Sequence, residues 1–375
     1  MPAKGKTNME VRKNNRNRIF RYLLTCERVS NPDIAHELRI SLPTVMQNTR
    51  ELLEQGLILE DGEMDSTGGR RAKALVPAAK ARLAAGLDIT ANHLGLLLSS
   101  LTGEILDARR IPLRFEDRED YYEEVSRLLA DFLRDNEDGG ERLLGVGISV
   151  PGIVDQKREE IAFSHILGIR RMPFERISRF FPWPCYFMND ANAGAYAEAA
   201  GREKKEPFFY LSLSNTVGGA MFTGSGISDG AHFHCGEAGH MTVVPGGRPC
   251  YCGNRGCLDA YCSARILAEA GGGKLESFFE RLRKGEPEIR SLWQEYTDVL
   301  AAAVHNLYMV LDCDIVLGGY VGSYAEEFGE EIREKAGTGN VFENSGSYVK
   351  PCRYRREAAA LGAALYVTER FVEQV

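Results

Sequence analysis

The chain has 375 residues, 44% of them hydrophobic and 26% charged, with a formal net charge of −7. This length exceeds that of a typical single domain and predicts two or three compact units. No apolar run is long enough to insert into a membrane, and the polar, basic start lacks the apolar region of a secretory signal, so we expect a cytoplasmic protein. The nine cysteines lack the regular spacing of a disulfide framework, which favours metal or redox chemistry over structural disulfide bonds.

Charge divides the chain into two regions of opposite sign. Residues 1–85 carry 15 lysines and arginines against 10 aspartates and glutamates, a balance of +5. Residues 86–375 carry 31 against 43, a balance of −12. A basic module on an acidic body indicates nucleic-acid binding confined to one end of the chain. A solvated basic tail would give the same balance, so charge alone leaves both interpretations open.

The first 80 residues have the pattern of a winged helix-turn-helix. Amphipathic spacing predicts a helix over 17–25, and Asn31 followed by Pro32 predicts the start of a second helix. Ser41 is the expected cap of a third helix, which Gly56 ends. The strand-like LILEDG and the Gly-rich STGGRRAKALVP then predict a wing. We expect a DNA-binding domain over residues 1–80, although a three-helix protein-interaction module shares this pattern.

The outward face of the third helix and the tip of the wing supply the candidate contacts to operator DNA. Amides can pair with adenine edges in the major groove, basic side chains reach phosphates, and glycines let the backbone approach a groove. A solvated turn is the alternative interpretation of the wing tip. The candidate residues are Pro43, Thr44, Gln47, Asn48 and Arg50 on the helix, and Gly69, Arg70 and Arg71 on the wing.

Residues 86–375 alternate apolar strand-like runs with helical stretches, which predicts an α/β body. Runs such as LLGVGISV and DIVLGG stand between amphipathic stretches such as YYEEVSRLLADFLRD. Two portions begin alike, GLDITANHLGLLL and FFYLSLSNTVGGAMFTG, each with a strand that enters a turn of small polar residues. This echo indicates two similar lobes with a ligand-binding cleft between them.

The segment CYCGNRGC, residues 250–257, predicts a metal site together with a histidine ten residues before it. Three thiolates and one imidazole satisfy tetrahedral Zn²⁺ and leave no position open for water, so the zinc is expected to be structural. The neighbouring His234 and Cys235 are rival ligands, and without zinc the thiols would be redox-active. The expected ligands are His240, Cys250, Cys252 and Cys257.

Five segments resemble the ROK family, which comprises repressors, open reading frames and sugar kinases. They are PGIVD at 151–155, NDANA at 189–193, GEAGH at 236–240, CYCGNRGCLDAY at 250–261 and VLGG at 316–319. The resemblance covers nearly the whole chain, because the N-terminal module resembles that of the repressor branch, the relatives of xylose, glucose and N-acetylglucosamine regulators. It implies an actin-like, hexokinase-like two-lobed body over 86–375, assembled as a homodimer or homotetramer.

The resemblance also implies which residues hydrogen-bond a sugar or sugar derivative. Carboxylates and amides can form hydrogen bonds in fixed directions with the hydroxyl groups of a sugar, which are both donors and acceptors. Asp259 stands where the family usually has Glu, and His165 where it commonly has Asn, so the ligand is expected to differ or to bind more weakly. Capping of a helix is the alternative role of Asn189. The implied ligand-binding residues are His165, Asn189, Asp190, Glu237, His240 and Asp259.

The phosphate cradles of the family's kinases are altered in this chain. Such cradles need glycines so that backbone N–H groups can wrap the phosphates. Residues 90–93 are TANH where the family's kinases have the pattern GGTK, and residues 214–216 are SNT where those kinases have GTG. The bulky Tyr320 follows Gly319, where kinases often have a small residue. We therefore expect a sugar-responsive repressor without catalytic activity. The alternatives are an active sugar kinase with Asp190 as its general base, and a regulator controlled by a protein partner.

Overall fold

The computed structural model describes residues 8–64, 71–136, 140–202, 205–338 and 340–375. The helices are α1 (Asn8–Leu24), α2 (Asn31–Leu38), α3 (Leu42–Glu54), α4 (Glu119–Asp135), α5 (Glu175–Ser178), α6 (Asp190–Ala200), α7 (Asp259–Cys262), α8 (Ala264–Ala270), α9 (Leu275–Arg283), α10 (Pro287–Leu311), α11 (Gly319–Gly322), α12 (Ala325–Gly337) and α13 (Ala358–Val372). Among these described helices, none combines the length and apolar character needed to cross a bilayer.

The strands of the described residues form four sheets, two of which have five strands each. They are β1 (Ile58–Glu63), β2 (Lys73–Pro77), β3 (Leu83–Ile89), β4 (His93–Ser100), β5 (Ile105–Pro112), β6 (Leu143–Val150), β7 (Ile153–Asp155), β8 (Glu160–Ser164), β9 (Ile169–Pro173), β10 (Cys185–Asn189), β11 (Phe208–Leu213), β12 (Val217–Phe222), β13 (Ile227–Ser228), β14 (Asp314–Gly318) and β15 (Val349–Pro351).

The N-terminal module is a three-helix unit followed by a two-stranded antiparallel wing, as predicted. Ile19, Phe20 and Leu23 of α1 are fully buried in a core shared with α2, α3 and the wing. The wing pairs β1 with β2 from Ile58 opposite Pro77. These contacts bury the apolar stripe of each helix and leave the opposite face of α3 to solvent.

The caps of α2 and α3 follow from short polar side chains. The Ser30 hydroxyl accepts the Asp33 N–H, and the Asp33 carboxylate accepts the Ser30 N–H at 3.1 Å, which makes a capping box. The cap of α2 therefore lies one residue before the predicted Asn31, which is the first residue of the helix. Ser41 caps α3 as predicted.

The body has two lobes whose sheets repeat one strand order. The first sheet runs β5-β4-β3-β6-β10 and the second runs β13-β12-β11-β14-β15. In each sheet three sequential strands pair antiparallel, and two later strands add in parallel. The repetition confirms the two similar lobes expected from the sequence. A further small sheet, β7-β8-β9, follows β6 and has no counterpart among the predicted elements.

Two alanine-rich helices, α6 and α13, pack closely against each other, α13 also against the first sheet and α6 against β11 and β12 of the second. A Cβ at Gly362 of α13 would lie 1.7 Å from the Ala193 carbonyl oxygen of α6, and one at Gly86 of β3 would lie 1.9 Å from the Ala360 carbonyl oxygen. Only glycine permits such backbone approach. The start of α6 and the end of α13 are thereby connected through one tightly packed unit.

The C-terminal end of α13 contacts α1 of the DNA-binding module. Arg21 donates two hydrogen bonds to the Glu369 carboxylate, at 2.8 and 2.5 Å. Arg16 donates to the Val375 carbonyl at 2.6 Å, and the Asn17 amide donates to the Val372 carbonyl. A bidentate arginine pair fixes orientation as well as distance, so α13 holds α1 in a defined position.

Candidate functional site

A cavity of about 410 Å³ lies between the two lobes. Its walls come from the segment after β6, the β10–α6 junction, the start of β12 and the segment 250–257, here called the cysteine hairpin. The structure places five of the six predicted ligand-binding residues on these walls. They are His165, Asn189, Asp190, Glu237 and His240.

Asn189 has two roles at the start of α6. Its Oδ1 accepts the Asn192 N–H at 3.0 Å, which is the helix cap expected as the alternative. Its amide nitrogen donates to the Gly152 carbonyl at 2.8 Å and to Asp190 Oδ1 at 3.1 Å. The cap holds the side chain in one orientation, and Asn189 still lines the cavity.

The carboxyl group of Asp190 has a pKa close to neutral pH. Burial, together with the nearby Asp88 carboxylate, raises the pKa of Asp190 to about 7. Burial likewise raises the pKa of Asp88 to about 6, opposed by the hydrogen bond that Ser149 donates to it at 3.1 Å. A carboxyl group with such a pKa can accept a proton or a hydrogen bond from a hydroxyl group at neutral pH.

Asp259 does not face the cavity, so that expectation is wrong. Its side chain is 1% exposed, and its Oδ1 accepts the Val217 N–H at 2.6 Å. This hydrogen bond holds the Asp259 carboxylate inside the second lobe. Because Val217 lines the cavity, Asp259 acts on the cavity through the backbone and not by direct contact.

The cysteine hairpin and His240 form a cluster that could hold a metal ion. The four ligand atoms of His240, Cys250, Cys252 and Cys257 lie within 4.8 Å of one another. His240 Nδ1 lies 3.9 Å from Cys250 Sγ, and Cys252 Sγ lies 3.8 Å from Cys257 Sγ. Burial raises the pKa of the Cys250 thiol to about 12, so a cation is needed to hold it as a thiolate.

Of the three candidates for a fourth ligand, His240 is the one whose ring nitrogen lies beside the three thiols. Among the described residues, His234 and Cys235 are not part of the group, and His234 instead lines the cavity. With Nδ1 directed at the thiols, His240 presents Nε2 to the Tyr251 hydroxyl at 3.2 Å and to Glu237 at 4.0 Å. The imidazole thus connects the hairpin to the cavity.

Tyr251 is a cavity residue that sequence reasoning missed. Its ring stacks on His165 with centroids 4.7 Å apart and an interplanar angle of 22°. Burial raises its pKa, so the hydroxyl stays protonated and can donate a hydrogen bond. The signal in the sequence was an aromatic residue between two predicted metal ligands, Cys250 and Cys252.

Side chains fill the region of the altered phosphate cradles. The cavity there measures about 60 Å³ and includes Asp88, Thr90 and Tyr320 in its lining. The Tyr210 hydroxyl accepts the Gly319 N–H at 3.3 Å, and Arg110 donates to the Tyr320 hydroxyl at 2.9 Å. The backbone N–H groups of Gly319 and Thr90 therefore already have acceptors within the protein.

The candidate DNA-contacting side chains of α3 lie at the surface, except for Asn48. Pro43, Gln47 and Arg50 are exposed and Thr44 is half-buried. The expectation that Asn48 faces outward is wrong, because its side chain is 1% exposed and its amide donates to the Thr44 carbonyl at 2.7 Å. At 100° per residue, position 48 lies on the inner face of the helix with the buried leucine and valine side chains.

Two of the predicted DNA-contacting arginines pair with acidic neighbours. Arg50 pairs with Glu54 at 2.9 Å, and Arg71 approaches Glu63 at 3.9 Å at the base of the wing. Both pairs are exposed and weak enough to exchange for phosphates. The predicted wing-tip residues Gly69 and Arg70 lie outside the described residues.

Comparisons with known proteins agree with this arrangement. Residues 12–58 match the winged helix-turn-helix DNA-binding model, and residues 84–370 match the ROK family model. The xylose repressor of Bacillus spizizenii strain W23 is 28% identical over 263 residues, 69% of this chain and 68% of that protein.

Two solved structures show the fold. A ROK family transcriptional regulator, a homolog of the Escherichia coli MLC protein, has a TM-score of 0.78 and 18% identity, covering 97% of each chain. A ROK family glucokinase from Streptomyces griseus, in complex with glucose and AMPPNP, has a TM-score of 0.63 and 22% identity, covering 76% of this chain and 98% of that chain. Since the family model spans most of the chain, this protein belongs to the ROK family.

Proposed function

We propose that this protein is a sugar-responsive transcriptional regulator that represses genes of carbohydrate metabolism. It binds operator DNA in the cytoplasm as a homodimer or homotetramer, through a domain over residues 1–80, and senses a sugar with the body over 86–375. The observation that carries the proposal is that one chain joins a winged helix to a polar interlobe cavity through two tightly packed helices. The relative named xylose repressor supports the same interpretation.

The cavity suits a sugar or sugar derivative. Its size falls within the range of small-molecule sites. Asn189, Asp190 and Glu237 supply amide and carboxylate groups in fixed directions, which a ring of hydroxyl groups can satisfy. The stacked His165 and Tyr251 rings add an aromatic surface against which the C–H face of a sugar can pack.

We propose that the cluster of His240 and the three cysteines holds Zn²⁺ as a structural ion. The donor set fits, because one imidazole and three thiols within 4.8 Å complete a tetrahedral site. When bound, the ion would keep the thiols deprotonated and fix the hairpin. The protein residues do the rest: the held imidazole keeps Nε2 at the cavity, and Tyr251 is positioned beside it.

Coupling between the cavity and the DNA-binding module would pass through α6 and α13. A sugar that engages Asn189 and Asp190 contacts the first residues of α6, and α6 packs on α13 at Gly362. The end of α13 holds α1 by the pair of Arg21 with Glu369. Closure of the lobes would shift these helices and reposition the paired winged helices. The change in operator affinity is limited by the sugar's differential affinity for the two states.

Catalysis of phosphoryl transfer is the second candidate, favoured by Asp190 with its pKa of about 7. A kinase also needs backbone donors around the phosphates. The filled cavity at Tyr210 and Tyr320 supports a protein that does not use ATP. Sugar-dependent ATP consumption that disappears in Asp190→Asn would establish the kinase instead.

The proposal is tested with the full chain, a panel of monosaccharides and their phosphates, and an operator selected from random DNA. One sugar is expected to raise the melting temperature and to change operator affinity. Glu237→Gln should weaken both responses, because it removes a charged acceptor from the cavity. Glu269→Gln, which changes an exposed carboxylate outside the cavity wall, is the matched control.

Three outcomes would oppose the proposal in different ways. A panel without any thermal shift or change in operator affinity contradicts sugar sensing and favours control by a protein partner. Equal effects of Glu237→Gln and Glu269→Gln contradict the location of the site. If the selection enriches no DNA sequence, the proposal that the protein is a DNA-binding regulator is contradicted.

A further inference from the structure

Helix α3 exposes two large apolar side chains. Met46 is 55% exposed and Leu42 is 40% exposed, whereas Val45 and Leu52 of the same helix are completely buried. Of the described residues, these two belong to only a few large hydrophobic side chains left in water. Leu59 of the wing strand β1, 53% exposed, is a third such side chain in the module.

These apolar residues form a row beside a polar row on the same helix face. Leu42 and Met46 are four residues apart and so lie one above the other. Pro43, Gln47 and Arg50 occupy the adjacent strip by the same spacing. The Gln47 amide has no hydrogen-bond partner among the described residues, so it is free to bind a ligand edge. The face thus offers an apolar edge, a free amide and a cation side by side.

The chemistry of this face matches A·T base pairs in the major groove. The thymine C5-methyl is the apolar group that base edges present there, and adenine of the same pair offers N6 and N7 to a glutamine amide. The charge of the module supports DNA as the occupant, since residues 1–85 carry a balance of +5. A protein partner or a second copy of this chain would not need the adjacent free amide and arginine in this order.

We propose that Met46 and Leu42 contact thymine methyl groups in the operator, next to adenines bound by Gln47, and so specify A·T pairs at the positions that face α3. This inference rests on the proposed DNA-binding function and names the bases that it recognises. Arg50 leaves Glu54 and binds the flanking phosphate, which sets the position of the helix without reading sequence.

The experiment begins with selection of duplexes from a random pool by the full-length protein and by Met46→Ala. The wild-type protein is expected to enrich thymine at defined positions, and the variant to lose that preference at one of them. Each thymine is then replaced by uracil, which removes only the methyl group. Loss of one buried methyl should weaken wild-type binding about fourfold, which is ~0.8 kcal/mol at 1.4 kcal/mol per tenfold.

Matched variants separate base recognition from other effects. At the position whose thymine preference it loses, Met46→Ala should bind the thymine and uracil duplexes equally, whereas Met46→Leu keeps an apolar side chain and should retain most of the penalty. Met309→Ala, which changes an exposed methionine of the body, should behave as wild type. Because Met46 is exposed, these variants are expected to melt at the wild-type temperature.

The proposal is overturned if uracil costs the wild type and Met46→Ala the same factor at every thymine, or if the selected sequences lack thymine at positions facing α3. It is also overturned if Met46→Ala changes the oligomeric mass of the DNA-free protein and leaves base preference intact, since α3 then binds a second copy. Failure of the proposed function is distinguishable, because in that case no sequence is enriched at all.

Discussion

Replacing Asp190 by Asn tests the electrostatics of the cavity directly. The pKa of Asp190 is about 7 in the folded protein and 3.8 in an unperturbed carboxyl group. The unfolded chain therefore loses its proton first as pH rises, and stability falls between about pH 4 and 7. Above pH 7 the folded carboxyl is ionised too, and the penalty is complete.

The size of the effect follows from the shift. About 3 pKa units correspond to about 4 kcal/mol of destabilisation above pH 7, at 1.36 kcal/mol per unit. Asn keeps one carbonyl oxygen for the bonds from Ala191 and Asn189, and we subtract about 1 kcal/mol for their weakening. Asp190→Asn is then expected to stabilise the protein by about 3 kcal/mol at pH 8 and by about 1 kcal/mol at pH 5.5.

The assay is urea unfolding of the full chain at both pH values, followed by fluorescence of the two tryptophans, Trp183 and Trp293, which both lie in the body. Asp120→Asn, an exposed carboxylate on α4, is the control and should change stability by less than about 0.5 kcal/mol. A gain that is equal at the two pH values, or a loss at pH 8, would refute the reasoning. Sugar binding should also release protons below pH 7, because a donated hydroxyl favours the carboxylate.

Three further predictions concern the metal, the helices and the filled cradle. Cys257→Ser should remove stoichiometric zinc, measured by elemental analysis, and shrink the sugar-induced thermal shift; loss of zinc with an unchanged shift would contradict the role of the hairpin. Arg21→Gln should break the pair with Glu369, raise hydrogen exchange in α1 and reduce the sugar's effect on operator affinity, by up to about 1 kcal/mol because the pair is half-exposed; unchanged exchange in α1 would oppose this. Tyr320→Ala should not confer ATP binding by calorimetry, since Tyr210 still occupies the Gly319 N–H, and tight binding would show that one side chain had closed the site.

Local patterns carried much of the candidate site in the sequence. The NDANA, GEAGH and cysteine motifs predicted that Asn189, Asp190, Glu237 and His240 share one site. The structure places these residues around one cavity. The misplacement of Asn48 was avoidable, because its spacing from Val45 and Leu52 already put it on the buried side of α3. Tyr251 was overlooked although it stands between two predicted metal ligands.

By itself the sequence determined the winged helix, the repeated lobes and the cysteine cluster, because caps, apolar periodicity and ligand spacing act between near neighbours in the chain. Tertiary structure alone decided that Asp259 bonds to Val217, 42 residues away, and that Tyr210 takes the Gly319 N–H, 109 residues away. It also decided that Arg21 holds Glu369 across 348 residues. Such contacts depend on how the lobes and helices pack, and no local spacing encodes which distant backbone group a buried polar side chain will meet.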